Sequence, residues 1–136
     1  MTQMRKLTAE DGHTLDAAVA GDSETARGGV VVLQEIFGLN DHIRDLPRRF
    51  AEAGYYAVAP ALTDRAERGV ELAYDAVGRD RGLALRAAVD DDAIFDVSAA
   101  ITAAAAAGPV VVVGFCWGGS LAWRAAPSLT GPAGAA

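Results

Sequence analysis

Residues 108–120, GPVVVVGFCWGGS, limit what this chain can fold into more than any other stretch does. Four consecutive β-branched residues, Val110–Val113, stand between Gly108-Pro109 and Gly114, the pattern of a short buried strand. From Ser120 onward the pattern is that of a helix. Cys116, the sole cysteine, therefore falls where a strand turns sharply into a helix. Gly114, Gly118 and Gly119 are expected to let the backbone turn tightly and pack closely there. Such a turn needs a parallel sheet with helices packed on it, and it lifts one side chain above the carboxyl edge of the strands.

The rest of the chain supplies that setting. RKLTAEDGHTLDAAVAG reads as two strands joined at Asp11-Gly12, a strong hairpin dipeptide. Gly29 to Gln34 is a continuous apolar strand without alternation, as expected of a strand covered on both faces. An amphipathic helix follows, with Ile43, Leu46 and Phe50 on one face and Gly54 as its stop. Pro47 predicts that its regular part begins near Asp45, since proline is tolerated in a first turn. YYAVAP is the next strand. Residues 61–88 read as a loop and then a helix from about Glu71, with a break near Gly78 or Gly82. In DDDAIFDVSAAITAAAAAGP, Asp90–Asp92 suit a helix N-terminus, Ile94, Val97 and Ile101 form its stripe, and Gly108-Pro109 closes it. The expected fold class is α/β, with a mostly parallel sheet after an N-terminal hairpin.

Composition excludes several functions. The 136 residues suit one domain, and a net charge of −6 with no basic patch argues against nucleic acid or an acidic membrane as partner. One cysteine excludes an internal disulfide and a cysteine-based zinc site, and suits a reducing cytoplasm. The N-terminus has positive charges without an apolar run behind them, so it is not a signal peptide. From Val97 to Trp123 no residue is charged, but Gly108-Pro109 and the later glycines divide the stretch into a buried helix and a buried strand.

Gly114-Phe115-Cys116-Trp117-Gly118 is the G-x-nucleophile-x-G pattern with cysteine in place of serine. The helix after it supplies free backbone N–H groups. A buried cysteine in a tight turn is the alternative at this point, as free cysteine often acts as a small core hydrophobe. A second segment adds to the elbow: QEIFGLNDHIRD, residues 34–45, follows the first long parallel strand. Together with GFCWGG it resembles the dienelactone hydrolase family, α/β-hydrolases with a cysteine nucleophile, from about Leu15 to Ala126.

The resemblance implies an α/β-hydrolase fold and assigns roles. Cys116 corresponds to the nucleophile. Glu35 corresponds to the glutamate that contacts the thiol and helps generate the thiolate when substrate binds. The backbone N–H groups of Ile36 and Trp117 correspond to the oxyanion hole. By itself, Glu35 also reads as a solvent-facing carboxylate at a strand end. The implied chemistry is acyl transfer from a small lactone or ester through a thioester, with no metal and no organic cofactor.

The chain departs from the family in one respect. No Asp, Glu or His follows Cys116, whereas a triad on this fold places its acid and then its histidine after the nucleophile. His13, at the hairpin turn, and His42, after Glu35, read as surface residues rather than bases. The chain is therefore expected to be the N-terminal part of a single hydrolase domain, truncated after the elbow helix and not competent for turnover. Its elbow strand is expected to be an unpaired apolar edge that invites self-association. Arg79, Arg81 and Arg86 are read as solvated helix charges. Two other readings compete. One is a non-hydrolytic reactive-thiol protein that responds to oxidants or carbonyls, against which stand Trp117 and the EIFGLNDHIRD segment. The other is an inactive fragment serving as an interaction module.

Overall fold

Strands β1 (Gln3–Thr8) and β2 (Thr14–Ala20) form an antiparallel hairpin in which Gly12 adopts a φ of 88°. The computed structural model describes residues 2–128 and 134–136. Strand β3 is Gly29–Leu33, β4 is Tyr56–Pro60, β5 is Val110–Gly114, and β6 is the two-residue pair Gly134–Ala135. They form one sheet in the order β1-β2-β4-β3-β5-β6. The pairings are parallel from β4 through β3 and β5 to β6, and antiparallel within the hairpin and between β2 and β4.

Alternation along the central strands fills two cores. Val31 and Leu33 of β3 face the same side as Val58 and Val112, whereas Val30 and Val32 face the other with Ala57 and Ala59. Helix α1 (Asp41–Glu52) covers the second face through Ile43 and Leu46. Helices α3 (Ala93–Ala104) and α4 (Trp117–Ala125) cover the first. Helix α2 (Ala76–Val89) adds Val89 to that same core. With both faces covered, the central strands β3 and β4 are buried throughout and carry valine and alanine without polar alternation.

Several boundaries differ from the sequence expectation, each for a physical reason. Helix α1 starts at Asp41, not near Asp45, because Asn40 caps it by accepting the Ile43 N–H at 3.1 Å; Pro47 lies inside the helix and is buried. Helix α2 begins at Ala76, capped by Asp75, and neither Gly78 nor Gly82 breaks it. Those glycines serve close approach. A Cβ on Gly78 would lie 1.9 Å from the Ala73 carbonyl oxygen, and one on Gly82 would lie 2.5 Å from that of Ile36. The buried stripe of α3 consists of Ala93, Asp96, Val97, Ala100 and Ala104, with Ile94 and Ile101 only partly covered. Small side chains let α3 sit close to the sheet, and a Cβ on Gly29 would meet the Ala104 carbonyl oxygen at 2.3 Å.

Two further expectations are corrected. Strand β5 is not a wholly unpaired edge, since Val111 and Val112 pair with Gly134 and Ala135. His13 is not a free surface residue: its ring is half-buried, and its Nε2 is buried without a hydrogen-bond partner among the described residues. Residues 129–133, between the elbow helix and β6, lie outside the described residues.

Candidate active site

The elbow is built by backbone contact between β3 and the β5–α4 turn. Leu33 pairs with Gly114, and the Leu33 carbonyl accepts the Phe115 N–H at 3.2 Å. Helix α4 then begins at Trp117 rather than Ser120. The Cys116 carbonyl accepts the Gly119 N–H at 2.9 Å and that of Ser120 at 3.3 Å. Cys116 itself takes φ 56° and ψ −116°, the one described non-glycine residue with a positive φ. Its side chain caps nothing and is exposed.

The strained residue is thus the cysteine, and the elbow glycines have another duty. A Cβ on Gly114 would lie 1.9 Å from the Gly118 carbonyl oxygen, and one on Gly118 would lie 2.3 Å from that of Leu33 and 2.7 Å from that of Gln34. Both positions need glycine for proximity. Gly119 has only an ordinary contact at 3.4 Å and is the least constrained of the three.

Trp117 anchors the turn from below. Its ring is buried, and its Nε1 donates to Asp90 Oδ1 at 2.7 Å, an aspartate that also pairs with Arg124 on the same helix. The Trp117 backbone N–H opens α4 and has no intrahelical acceptor. Ile36 is buried against Gly82 of α2. Neither the Ile36 nor the Trp117 backbone N–H is engaged by a protein acceptor among the described residues.

Glu35 leaves the same strand end. Gln34, fully buried, accepts the Leu62 N–H through Oε1 at 2.9 Å and donates Nε2 to the Glu35 carbonyl at 2.9 Å. The loop beyond is clamped where the Phe37 carbonyl accepts the Leu72 N–H at 2.9 Å and Gly38 bridges Glu71. The half-buried Glu35 accepts through Oε1 from the Tyr74 hydroxyl at 2.8 Å, and no hydrogen bond joins it to Cys116 Sγ among the described residues.

The structure therefore brings the segments of Glu35-Ile36 and Cys116-Trp117 together at the carboxyl edge of β3 and β5, and joins Glu35 to Tyr74 rather than to the thiol. Sequence reasoning missed Gln34, Asn40 and Tyr74. Only Asn40 had a legible signal, as a helix-capping residue ahead of an apolar face. A cavity of about 340 Å³ elsewhere has Asp16, Arg44, Asp64 and Glu71 in its wall, and neither Cys116 nor Glu35 lines it. Among the described residues, no group of three or more His, Cys, Asp or Glu side chains could hold a metal ion. Nor is any described helix long and apolar enough to cross a membrane.

The profile of the dienelactone hydrolase family matches residues 15–136. The chain belongs to the dienelactone hydrolase family. It is 34% identical over 132 residues to the carboxymethylenebutenolidase of Pseudomonas putida, covering 93% of this chain and 56% of that protein. A Klebsiella pneumoniae crystal structure assigned as a dienelactone hydrolase is 32% identical, with a TM-score of 0.71 over 93% of this chain and 55% of that one. An α/β-hydrolase from Novosphingobium aromaticivorans, 20% identical, shares the fold with a TM-score of 0.62 over 93% of this chain and 40% of its own. The stretches this chain shares with its curated relatives make up from 35% to 56% of those proteins' own length.

Proposed function

We propose that this chain carries the acyl-accepting site of an enzyme that cleaves a small lactone or carboxylic ester, with Cys116 as nucleophile. One observation carries the reading. An exposed cysteine, strained at a positive φ, stands next to buried Trp117 and at the same strand edge as buried Ile36, and neither of their backbone N–H groups has a protein acceptor among the described residues. Strain held at a single reactive side chain is the mark of a built site.

The chemistry follows from that arrangement. The thiolate attacks the ester carbonyl carbon, and the oxygen that gains the charge is received by the N–H groups of Ile36 and Trp117. Collapse expels the enolate or alkoxide and leaves a thioester on Cys116. Release of the acyl group then needs a base to activate water. No histidine follows Cys116, His13 stands at the hairpin turn, and His42 is exposed on α1. We therefore read the chain by itself as able to accept an acyl group and slow to release it.

Iodoacetamide and p-nitrophenyl acetate test this. Native Cys116 should alkylate without denaturant, and the ester should release one p-nitrophenol per chain in a burst absent from Cys116→Ala. Alkylation only after unfolding would make Cys116 a core residue and end the proposal. Sustained turnover above the Cys116→Ala control would show that a base for the second step lies within these residues.

A further inference from the structure

Tyr74 lies between the strap that clamps Gly38 and the start of α2, its ring edge-on to Phe37 with centroids 4.6 Å apart. Its hydroxyl donates to Glu35 Oε1 at 2.8 Å and accepts from Asn40 Nδ2 at 2.9 Å. Both ends of this relay are fixed from outside. Asn40 spends its carbonyl oxygen on capping α1, which aims the amide nitrogen at Tyr74. Gln34 holds the Glu35 main chain. A neutral phenol has one proton to give, and with Asn40 donating to its oxygen that proton goes to Glu35. Tyr74 as a whole is 59% exposed; the partial desolvation of its hydroxyl raises the phenol above its ordinary value, the Asn40 bond opposes this and the Glu35 carboxylate adds to it. The neighbouring acids are otherwise engaged, Glu71 by Arg44 at 2.9 Å and Asp75 by the Gly78 N–H at 2.7 Å.

We propose that Tyr74 is a positioning residue that holds the Glu35 carboxylate away from the Cys116 thiol through the Asn40–Tyr74–Glu35 relay. The proposal rests on reading Cys116 as the nucleophile. A carboxylate free to swing over the elbow would accept a hydrogen bond from the neutral thiol and, by its negative charge, disfavour the thiolate. Tied to Tyr74, Glu35 spends its charge on the phenol and leaves the elbow to the N-terminus of α4.

Tyr74→Phe keeps the ring and removes only the hydroxyl. Alkylation of native Cys116 by iodoacetamide is measured against pH for the wild type, Tyr74→Phe, Glu35→Gln and the double variant. Tyr74→Phe should slow alkylation about ten-fold near neutral pH and move its profile to higher pH, the effect of one unit in thiol ionisation. In the Glu35→Gln background, removal of the hydroxyl should change the rate less than about two-fold, because no carboxylate remains to be released. A Tyr74→Phe rate equal to the wild type overturns the positioning role alone, as does an equal slowing with and without Glu35. A wild-type chain whose Cys116 resists native alkylation removes the nucleophile reading, and this proposal with it.

Discussion

Cys116 combines a side chain with a backbone angle that glycine would adopt more cheaply. Holding a residue with a Cβ at such a φ costs about 1–3 kcal/mol, sustained here by the β3–β5 pairing and the anchored Trp117. Alanine normally stabilises relative to glycine, since it restricts the unfolded chain. At position 116 the order should invert. In urea unfolding, Cys116→Gly should exceed Cys116→Ala in stability by about 1 kcal/mol, the cost of a Cβ in this region. Equal midpoints, or a more stable alanine variant, would mean that the turn stores no strain. Gly118→Ala should err in the other direction, losing about 1–3 kcal/mol or more as the new methyl meets the Leu33 and Gln34 carbonyls.

Among the elements, the hairpin, strands β3, β4 and β5 and the existence of each α-helix could be read from the sequence, because turn dipeptides and apolar runs act locally. The misreadings have two sources: local caps, as where Asn40 starts α1, and close backbone approach between segments. Gly78 and Gly82 resemble breaks until Ala73 and Ile36 are placed against them, and the alanines of α3 resemble filler until Gly29 receives Ala104. Of the candidate site, the sequence singled out Cys116 and, by family resemblance, Glu35, Ile36 and Trp117. The relay through Tyr74 depends on a loop that has no periodicity. A second long-range link joins the hairpin turn to α3: Arg65 makes paired contacts with buried Asp96 at 2.9 and 3.0 Å, and reaches Asp11 at 2.7 Å. Burial raises the Asp96 carboxyl, against the pull of Arg65, so its charged form costs stability as pH rises through the folded value. Arg65 holds the Asp11 carboxyl low by its hydrogen bond, a contribution present above the ordinary carboxylate value and lost as pH falls through the lowered one. Arg65→Ala strips both partners. Its loss relative to wild type should reach about 3–5 kcal/mol near neutral pH, as for a broken buried pair. The loss should shrink on acidification, when Asp96 becomes neutral and Asp11 no longer contributes. A pH-independent difference in urea midpoints would show that the ion pairs do not set it.

At the scale of the whole molecule, large apolar side chains are exposed both on α2, at Val77 and Leu83, and beside β5. Val111 is 39% exposed and Trp123 is 82% exposed, while β6 meets β5 over only two residues. Such an edge recruits other chains. We expect the chain to self-associate in sedimentation, and Trp123→Lys to shift it toward the monomer; a wild-type monomer at high concentration would refute this. The same topology sets an order of events. Strands β2, β4 and β3 are near neighbours along the chain and need nothing after Pro60 to pair, whereas β3 and β5 are joined across most of the sequence. Loop closure of that length is slow compared with hairpin formation. During synthesis or refolding, Gln34 and Glu35 would already be held in place before Cys116 acquired its conformation. The thiol then serves as a clock for the last step of folding: pulse-labelling it during refolding would time the docking of β5, a step that methods sensitive to total strand content would not isolate.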